Sequence, residues 1–330
     1  MAREIFAIAE HRDGEVRPET MELLAFGRGL AEAMGARLTG VILACPAQKL
    51  ARQLAAQAGT DVLAIESKPL AVYNAEAYIA ALAKIISERK PAYVLVSHTA
   101  TGWDFAARLA VALQGSCSTG ITGFRKADPI CFLRPICNGK ILAEVAPLPG
   151  TVSVLSIMPG AANPVAAKRK GRVEISHFDL RDPGTKNLGY AKAGRGAMEL
   201  GKAEVIVAAG RGIGEQDKLD LVRRLAECFD KGALAASRPI IDAGWLPLER
   251  QVGQTGQTVH PRLYIACGIS GALQHIAGMS GSELILAINT DRDANIFNIA
   301  HIGIVQNLHQ FLPVLIQKIC ARKTPRPSNS

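Results

Sequence analysis

The chain has 330 residues, 48% hydrophobic and 20% charged, which is enough apolar material for two globular cores. The formal charge of +9 gathers largely in Lys168-Arg169-Lys170, Arg172 and the tail from Arg322; this reads as a solvated loop and a frayed end, so no nucleic acid is expected, and a basic face better suits an anionic nucleotide or an acidic redox partner. No apolar run reaches the ~20 residues that span a bilayer, and the N-terminus lacks a signal segment, so the expectation is a cytoplasmic protein (or an organellar one after processing) without direct membrane insertion.

In chain order, Ile5–Ala9 reads as a short apolar strand. Glu19–Met34 follows as a helix that closes at Gly35, with Met21, Leu24, Leu30 and Ala33 near helical spacing. Leu38–Ala44 is a strand, Ala47–Ala58 a helix, Val62–Ile65 a strand and Glu76–Glu88 a helix. Tyr93–Ser97 is a strand after Pro91, and Asp104–Leu113 a helix. This alternation implies a parallel sheet covered by helices on both faces. From Cys117 to Met158 strands dominate, among them Ile141–Val145 and Thr151–Ile157, with an antiparallel arrangement as one possibility. Residues 159–195 are rich in Pro, Gly, Lys and Arg and read as a linker.

The rhythm then restarts. Ala203–Ala209 is a buried strand, Gln216–Phe229 an amphipathic helix and Leu263–Cys267 a strand. Ser270–Ala277 is a short helix, Leu284–Ile288 and Ile302–Val305 are strands, and Leu308–Ile319 is a closing helix despite Pro313. The fold class is therefore α/β, with two doubly wound domains built on mostly parallel sheets. Their expected extents are 1–192 and 193–330. The seven cysteines are scattered with no CxxC pair, so neither a disulfide framework nor a metal site is expected.

Four segments of the second half could carry chemistry. Gly210-Arg211-Gly212-Ile213-Gly214 stands between strand and helix, where a dinucleotide loop belongs, but Glu215 occupies the place of the fingerprint's third glycine. It is either a tight turn or a set of backbone N–H groups near a phosphate, with Arg211 adding charge. Gly268-Ile269-Ser270-Gly271-Ala272-Leu273-Gln274-His275 again follows a strand and opens a helix. Ser270 is placed to cap that helix, and Gln274 and His275 are placed to face one ligand. Gln251-Val252-Gly253-Gln254-Thr255-Gly256-Gln257-Thr258 is crowded with amide and hydroxyl donors. It is either a flexible surface loop or the lining of a planar polar ring. In Ser237-Arg238-Pro239 the proline should hold Arg238 extended, either for a surface salt bridge or as a fixed cation over a ring. There is no P-loop, nucleophile elbow or HExxH. His98 and Asp104, near Trp103, assemble nothing further around themselves.

Together these segments resemble the C-terminal half of electron-transfer flavoprotein alpha subunits, from about Val205 to Leu312. The most specific stretch is LYIACGISGALQHIAGMSGSELILAIN, 263–289. Ala236-Ser237-Arg238, Asp242-Ala243-Gly244 and the QVGQTG loop precede it in the family's order. The N-terminal half is similar only in general layout.

The resemblance implies two Rossmann-like domains: an N-terminal platform for a partner subunit and a C-terminal domain holding extended FAD. Arg211 would lie near the pyrophosphate, and Ser237 and Arg238 at the flavin ring. Val252, Gly253, Gln254 and Thr255 would line the ring and ribityl region. Ser270, Gly271, Ala272, Leu273, Gln274 and His275 would bind pyrophosphate and ring, with His275 near the pyrimidine carbonyl. Asn289, Asn307 and Leu308 would serve the adenosine end. The family often has aspartate where His301 and Asn307 stand here.

Arg238 and a protonated or hydrogen-bonding His275 would stabilise negative charge on the reduced ring. The implied protein is an electron carrier without catalytic residues or metal, working as a heterodimer with a beta subunit. It would take electrons from acyl-CoA or related dehydrogenases of fatty acid beta-oxidation and pass them to a quinone oxidoreductase. Two alternatives stay open: a subunit of an NADH-dependent bifurcating complex, and a nucleotide-binding regulatory module without a redox role. A classical NAD dehydrogenase fits poorly, because Glu215 breaks the fingerprint and no acid–base pair accompanies it.

Overall fold

The computed structural model describes residues 4–139, 141–164, 167, 169–188 and 200–323. These divide into two compact units, 4–137 with 141–188, and 200–323 with 138–139. The expected boundary at 192–193 lies outside the described residues.

In the first unit the elements run β1 (Glu4–Ile8), a small hairpin β2 (His11–Arg12) and β3 (Glu15–Val16), α1 (Pro18–Met34), β4 (Arg37–Ala44), α2 (Gln48–Ala58), β5 (Asp61–Glu66), α3 (Ala75–Arg89), β6 (Tyr93–Ser97) and α4 (Ala100–Ala112). Then come β7 (Ser116–Ile121), β8 (Gly123–Arg125), β9 (Cys131–Ile136), β10 (Ile141–Val145), β11 (Ser153–Ile157) and β12 (Val173–His177). Local chemistry sets the helix ends. Pro18 opens α1, and Gly35 closes it in the left-handed conformation at φ 60°. Asn74 caps α3 by accepting from the Ala77 N–H, and Thr99 caps α4 by accepting from the Gly102 N–H. That cap explains why α4 begins four residues before the expected start at Asp104.

Seven strands form one parallel sheet in the order β12-β5-β4-β1-β6-β11-β7. Its central strands are buried along almost their whole length, because helices cover both faces. Leu23, Leu24, Leu54 and Leu95 lie in the core on one face, and Leu82, Ile86, Phe105 and Leu109 in the core on the other.

Two expectations are corrected here. β11 does not pair antiparallel; it lies parallel between β6 and β7, and of the strands in 117–158 it is β8, β9 and β10 that form an antiparallel sheet. The expected linker 159–195 contains β12, which pairs parallel with β5. Val173 and Ile175 turn toward the core while Glu174 is exposed, so a period-2 pattern was present under the flanking basic residues.

The second unit holds β13 (Val205–Ala209), α5 (Leu219–Glu227), β14 (Gly232–Ala236), α6 (Arg238–Asp242), β15 (Leu263–Cys267), α7 (Leu273–Ile276), β16 (Leu284–Asn289), β17 (Ile302–Val305) and α8 (Leu308–Lys323). Its parallel sheet has the order β14-β13-β15-β16-β17. The chain starts at β13, moves to β14 on one side, and then crosses to β15 on the other. The winding therefore reverses between β13 and β15, and open α/β sheets bind their ligands at such a reversal, outside the carboxyl ends of the strands. One core contains α5 and α8, with Val222, Leu225, Leu312 and Ile316; the other contains Tyr264, Met279 and Ile296. Among the described residues, no helix is long and apolar enough to cross a membrane, and no group of three or more His, Cys, Asp or Glu side chains could hold a metal.

Candidate functional site

The glycine turns meet at the reversal point. Gly210 follows β13 and Gly268 follows β15. The Gly210 N–H donates to the Cys267 carbonyl at 2.8 Å, and the Gly212 N–H to the Gly268 carbonyl at 3.0 Å. A Cβ on Gly210 would stand 2.3 Å from the Gly268 carbonyl oxygen, so only glycine permits this approach of backbone to backbone. These two N–H groups are thus spent within the protein. The 210–214 segment forms a 3-10 turn at Arg211–Ile213, and α5 starts only at Leu219, so the turn does not lead straight into a helix as expected. Arg211 is exposed on this turn.

The glutamine loop is not a flexible surface loop. Val252 N–H donates to the Ala236 carbonyl at 2.9 Å, fastening the loop to the end of β14, and Gln254 N–H donates to the Gln274 carbonyl at 2.7 Å. Gln251 Nε2 donates to Thr255 Oγ1 at 2.8 Å, which braces the loop from within. Gly253 sits at φ 139° against the Gln274 carbonyl, a position closed to other residues. Gln251, Val252 and Gly253 are buried, Gln254 is half-buried and Thr255 is exposed.

Ser237 is buried behind β14, its N–H donating to the Ala209 carbonyl at 2.9 Å. Arg238 is not extended. Ser237 takes the extended conformation, φ −80° and ψ 160°, and Arg238 opens α6 with Pro239 behind it. Proline is tolerated there because a first-turn N–H has no helical partner to lose. Arg238 is exposed, with Nε 3.3 Å from Asp242 Oδ2.

Ser270 does not cap α7. The residue before that helix is Ala272, with no side-chain cap, while the Ser270 carbonyl accepts from the Ile296 N–H at 3.1 Å. A single turn of helix also offers little dipole to an anion. Ser270, Ala272 and Gln274 are exposed, Leu273 is half-buried, and Gly271 and His275 are buried.

The His275 ring carries the site's main chemical signal. Its Nε2 lies 3.0 Å from the Tyr264 hydroxyl, and both residues are buried. Nδ1 is buried and has no hydrogen-bond partner. Burial pushes the imidazole pKa down to about 4, against a smaller opposing effect of the Val252 backbone, so at neutral pH the ring is uncharged. Of the two sequence expectations for His275, the hydrogen-bonding neutral ring is favoured over the protonated one. In the sequence Tyr264 stands in a strand and in the family-specific 263–289 stretch without an assigned partner; the question that finds its role is what a buried phenol there hydrogen-bonds to.

At the far end of the sheet, Asn289 Nδ2 donates to the Ile269 carbonyl at 2.9 Å, while its Oδ1 accepts from the Asp291 N–H at 3.0 Å. Gln306 N–H donates to the Asn289 carbonyl at 3.1 Å, tying in the residues after β17. Asn307 Oδ1 accepts from the His309 N–H at 2.9 Å, the bond an aspartate would also make at a helix start. His301 Nδ1 accepts from the Ile285 N–H at 3.0 Å. Leu308 lies in the core with Leu312, which leaves only its backbone for a ligand. The candidate residues thus line up along one edge, from the glutamine loop at β14 to Asn307 at β17. Four strand spacings of ~4.8 Å make this row about 19 Å long, a length suited to an extended dinucleotide.

His98 and Asp104, in the first unit, do not form a pair. His98 Nδ1 lies 2.7 Å from Ser156 Oγ and the ring accepts from Trp103 Nε1, whereas Asp104 accepts from the Tyr73 hydroxyl at 2.8 Å.

Comparison with known proteins gives the family. The family model described as "Electron transfer flavoprotein domain" matches residues 5–183, and that described as "Electron transfer flavoprotein FAD-binding domain" matches residues 199–280. The chain belongs to the electron transfer flavoprotein alpha-subunit family. It is 35% identical to the electron transfer flavoprotein subunit alpha of Thermoanaerobacterium thermosaccharolyticum, over 96% of this chain and 98% of that protein. It is equally 35% identical to protein FixB of Rhizobium meliloti, over 98% of this chain and 95% of the relative. It is 32% identical to the acryloyl-CoA reductase electron transfer subunit beta of Anaerotignum propionicum, over 96% of this chain and 95% of the relative. Kinship therefore extends through the N-terminal half, beyond the span the motifs marked. As a member of this family the chain is an electron-transferring flavoprotein subunit and binds FAD. The second unit fits that cofactor: a buried imidazole nitrogen lacks a partner, and a polar edge runs across all five strands.

Proposed function

We propose that this chain is the alpha subunit of a heterodimeric carrier. It takes electrons from acyl-CoA or related dehydrogenases, as in fatty acid beta-oxidation, and delivers them to an acceptor such as a quinone oxidoreductase. The first unit serves as the platform for a beta subunit, and the protein acts in redox catalysis only within such a complex. The name of the acryloyl-CoA reductase relative supports a redox partner of the CoA-ester class.

FAD supplies the redox chemistry when bound, and the side chains position and tune it. Arg211 neutralises phosphate charge. Ser237, Val252, Gly253, Gln254 and Thr255 hold the ring and ribityl end, and Ser270 through Gln274 the pyrophosphate. His275 would offer its Nδ1 proton to the ring, and Arg238 would supply a cation beside it. Asn289, Asn307 and the Leu308 backbone hold the adenosine end. The buried Nδ1 of His275, without a hydrogen-bond partner in the protein, carries the reading.

The test is the flavin content of the purified heterodimer, with AMP determined alongside. One FAD and one AMP per heterodimer is the expected result. Two FAD would favour an NADH-dependent bifurcating complex. A colourless complex that releases no FAD on denaturation would overturn the proposal in favour of a nucleotide-binding module.

A further inference from the structure

Cys228 terminates α5, and Cys320 lies on α8. The two helices pack together in one core of the second unit through Val222 and Leu225 of α5 and Leu312 and Ile316 of α8. Where they end, the two sulfurs stand 3.5 Å apart although 92 residues separate them in the chain. A disulfide holds its sulfurs about 2.0 Å apart, so closure needs an approach of about 1.5 Å.

The pair is asymmetric. Cys320 is exposed, whereas Cys228 is buried, its Sγ donating to the Arg224 carbonyl at 3.2 Å. An oxidant can reach the first sulfur, and the second waits beside it. This is the arrangement of an oxidisable thiol next to a resolving thiol. Cys267 makes the contrast: it is fully buried in β15, and burial pushes its pKa up to about 12, so it stays inert.

We propose that Cys228 and Cys320 form a reversible, peroxide-driven disulfide that clamps α8 to α5. The Cys320 thiolate attacks hydrogen peroxide, cleaving its O–O bond, and becomes a sulfenic acid while hydroxide leaves. The Cys228 sulfur then displaces hydroxide from the sulfenic sulfur, and its own proton completes a water molecule. In sum, two thiols and one hydrogen peroxide give one disulfide and two waters. Two electrons pass from sulfur to oxygen, and a dithiol reverses the change.

The position gives the bond a consequence. The closed loop runs from 228 to 320 and contains α6, the glutamine loop, β15, α7, β16 and β17. Every candidate cofactor residue except Arg211 therefore lies inside it. Closing so long a loop restricts the unfolded chain strongly. The oxidised form should keep its FAD to a higher temperature than the reduced form.

The experiment uses the full-length, FAD-loaded chain, reduced and then titrated with hydrogen peroxide. The expected product is lighter by two hydrogens and yields a proteolytic peptide pair joining Cys228 to Cys320. Its FAD-release midpoint rises by at least about 5 °C, and dithiothreitol reverses both changes. Cys320→Ser, at the exposed site, should abolish the linked peptide and the shift while leaving the reduced midpoint unchanged. Cys137→Ser should leave the linkage intact. Oxygen addition at Cys320 without a linked peptide would overturn the proposal. So would a linked peptide that leaves the midpoint where it was.

Discussion

A single hydrogen bond fixes the proton on the His275 ring. The pKa of about 4 keeps the imidazole neutral at physiological pH, so one nitrogen accepts and the other donates. Tyr264 is completely buried, and its hydroxyl meets Nε2 at 3.0 Å. If the phenol donates there, the ring proton sits on Nδ1, the nitrogen without a protein partner. Tyr264→Phe would keep the packing but leave Nε2 buried and unsatisfied, a penalty of about 1–3 kcal/mol. Urea unfolding of the FAD-free protein should register that loss, and an unchanged midpoint would refute the assigned proton. FAD should also bind more weakly, because the imidazole is then free to place its proton on either nitrogen.

At the scale of elements, the two glycine turns act as one packed unit. Gly210 has an ordinary φ of −111°, so replacing it with alanine strains nothing locally. The clash comes from the Gly268 carbonyl, 2.3 Å from the added methyl carbon. Gly210→Ala should therefore force the ends of β13 and β15 apart, destabilising the second unit by a few kcal/mol, roughly the scale of core overpacking. Gly201→Ala is the control, since an added Cβ there meets nothing within 4 Å. Equal thermal midpoints for the two variants would show that the turns are not tightly joined. The sequence revealed these turns because glycines after aliphatic runs such as AEVIVAA and LYIAC are conspicuous. It could not reveal that the glycines face each other, since that depends on strand order. β12 and β14 were missed for a related reason: five-residue strands rich in Ala, Gly or charged residues look like connections until a neighbour pairs with them. β11 was found, but its parallel pairing depends on partners far away in the chain. At the site, the order of polar and glycine residues was legible, as was a surface salt bridge as one reading of Arg238, whereas the Tyr264 partnership and the identity of Asp242 as the Arg238 partner were not.

Across the whole molecule, the buried titratable groups give the two units different responses to acid. In the first unit, burial raises the pKa of Glu10 to about 7, although the Thr99 hydroxyl donates to its carboxyl at 2.5 Å. Burial also lowers the pKa of His98 to about 4. The Glu10 contribution is complete below pH 4.5 and is lost as pH rises through 7. The His98 contribution is complete above pH 6.5 and is lost as pH falls toward 4. Between pH 4.5 and 6.5 the native unit holds an extra proton on Glu10, and the unfolded chain an extra proton on His98, so the two slopes cancel. Among the described residues, the second unit has His275 without such an opposing carboxyl, and its contribution falls from pH 6.5 toward 4. The limiting slope is about 1.4 kcal/mol per pH unit. Acidification from pH 6.5 to 4.5 should therefore loosen the second unit while the first stays level, as amide hydrogen exchange resolved by unit would record. Glu10→Gln removes the compensating proton, and the first unit should then weaken with acid as well. If that variant kept its level profile, the pairing of Glu10 against His98 would be wrong, and with it the physical basis for the difference between the units.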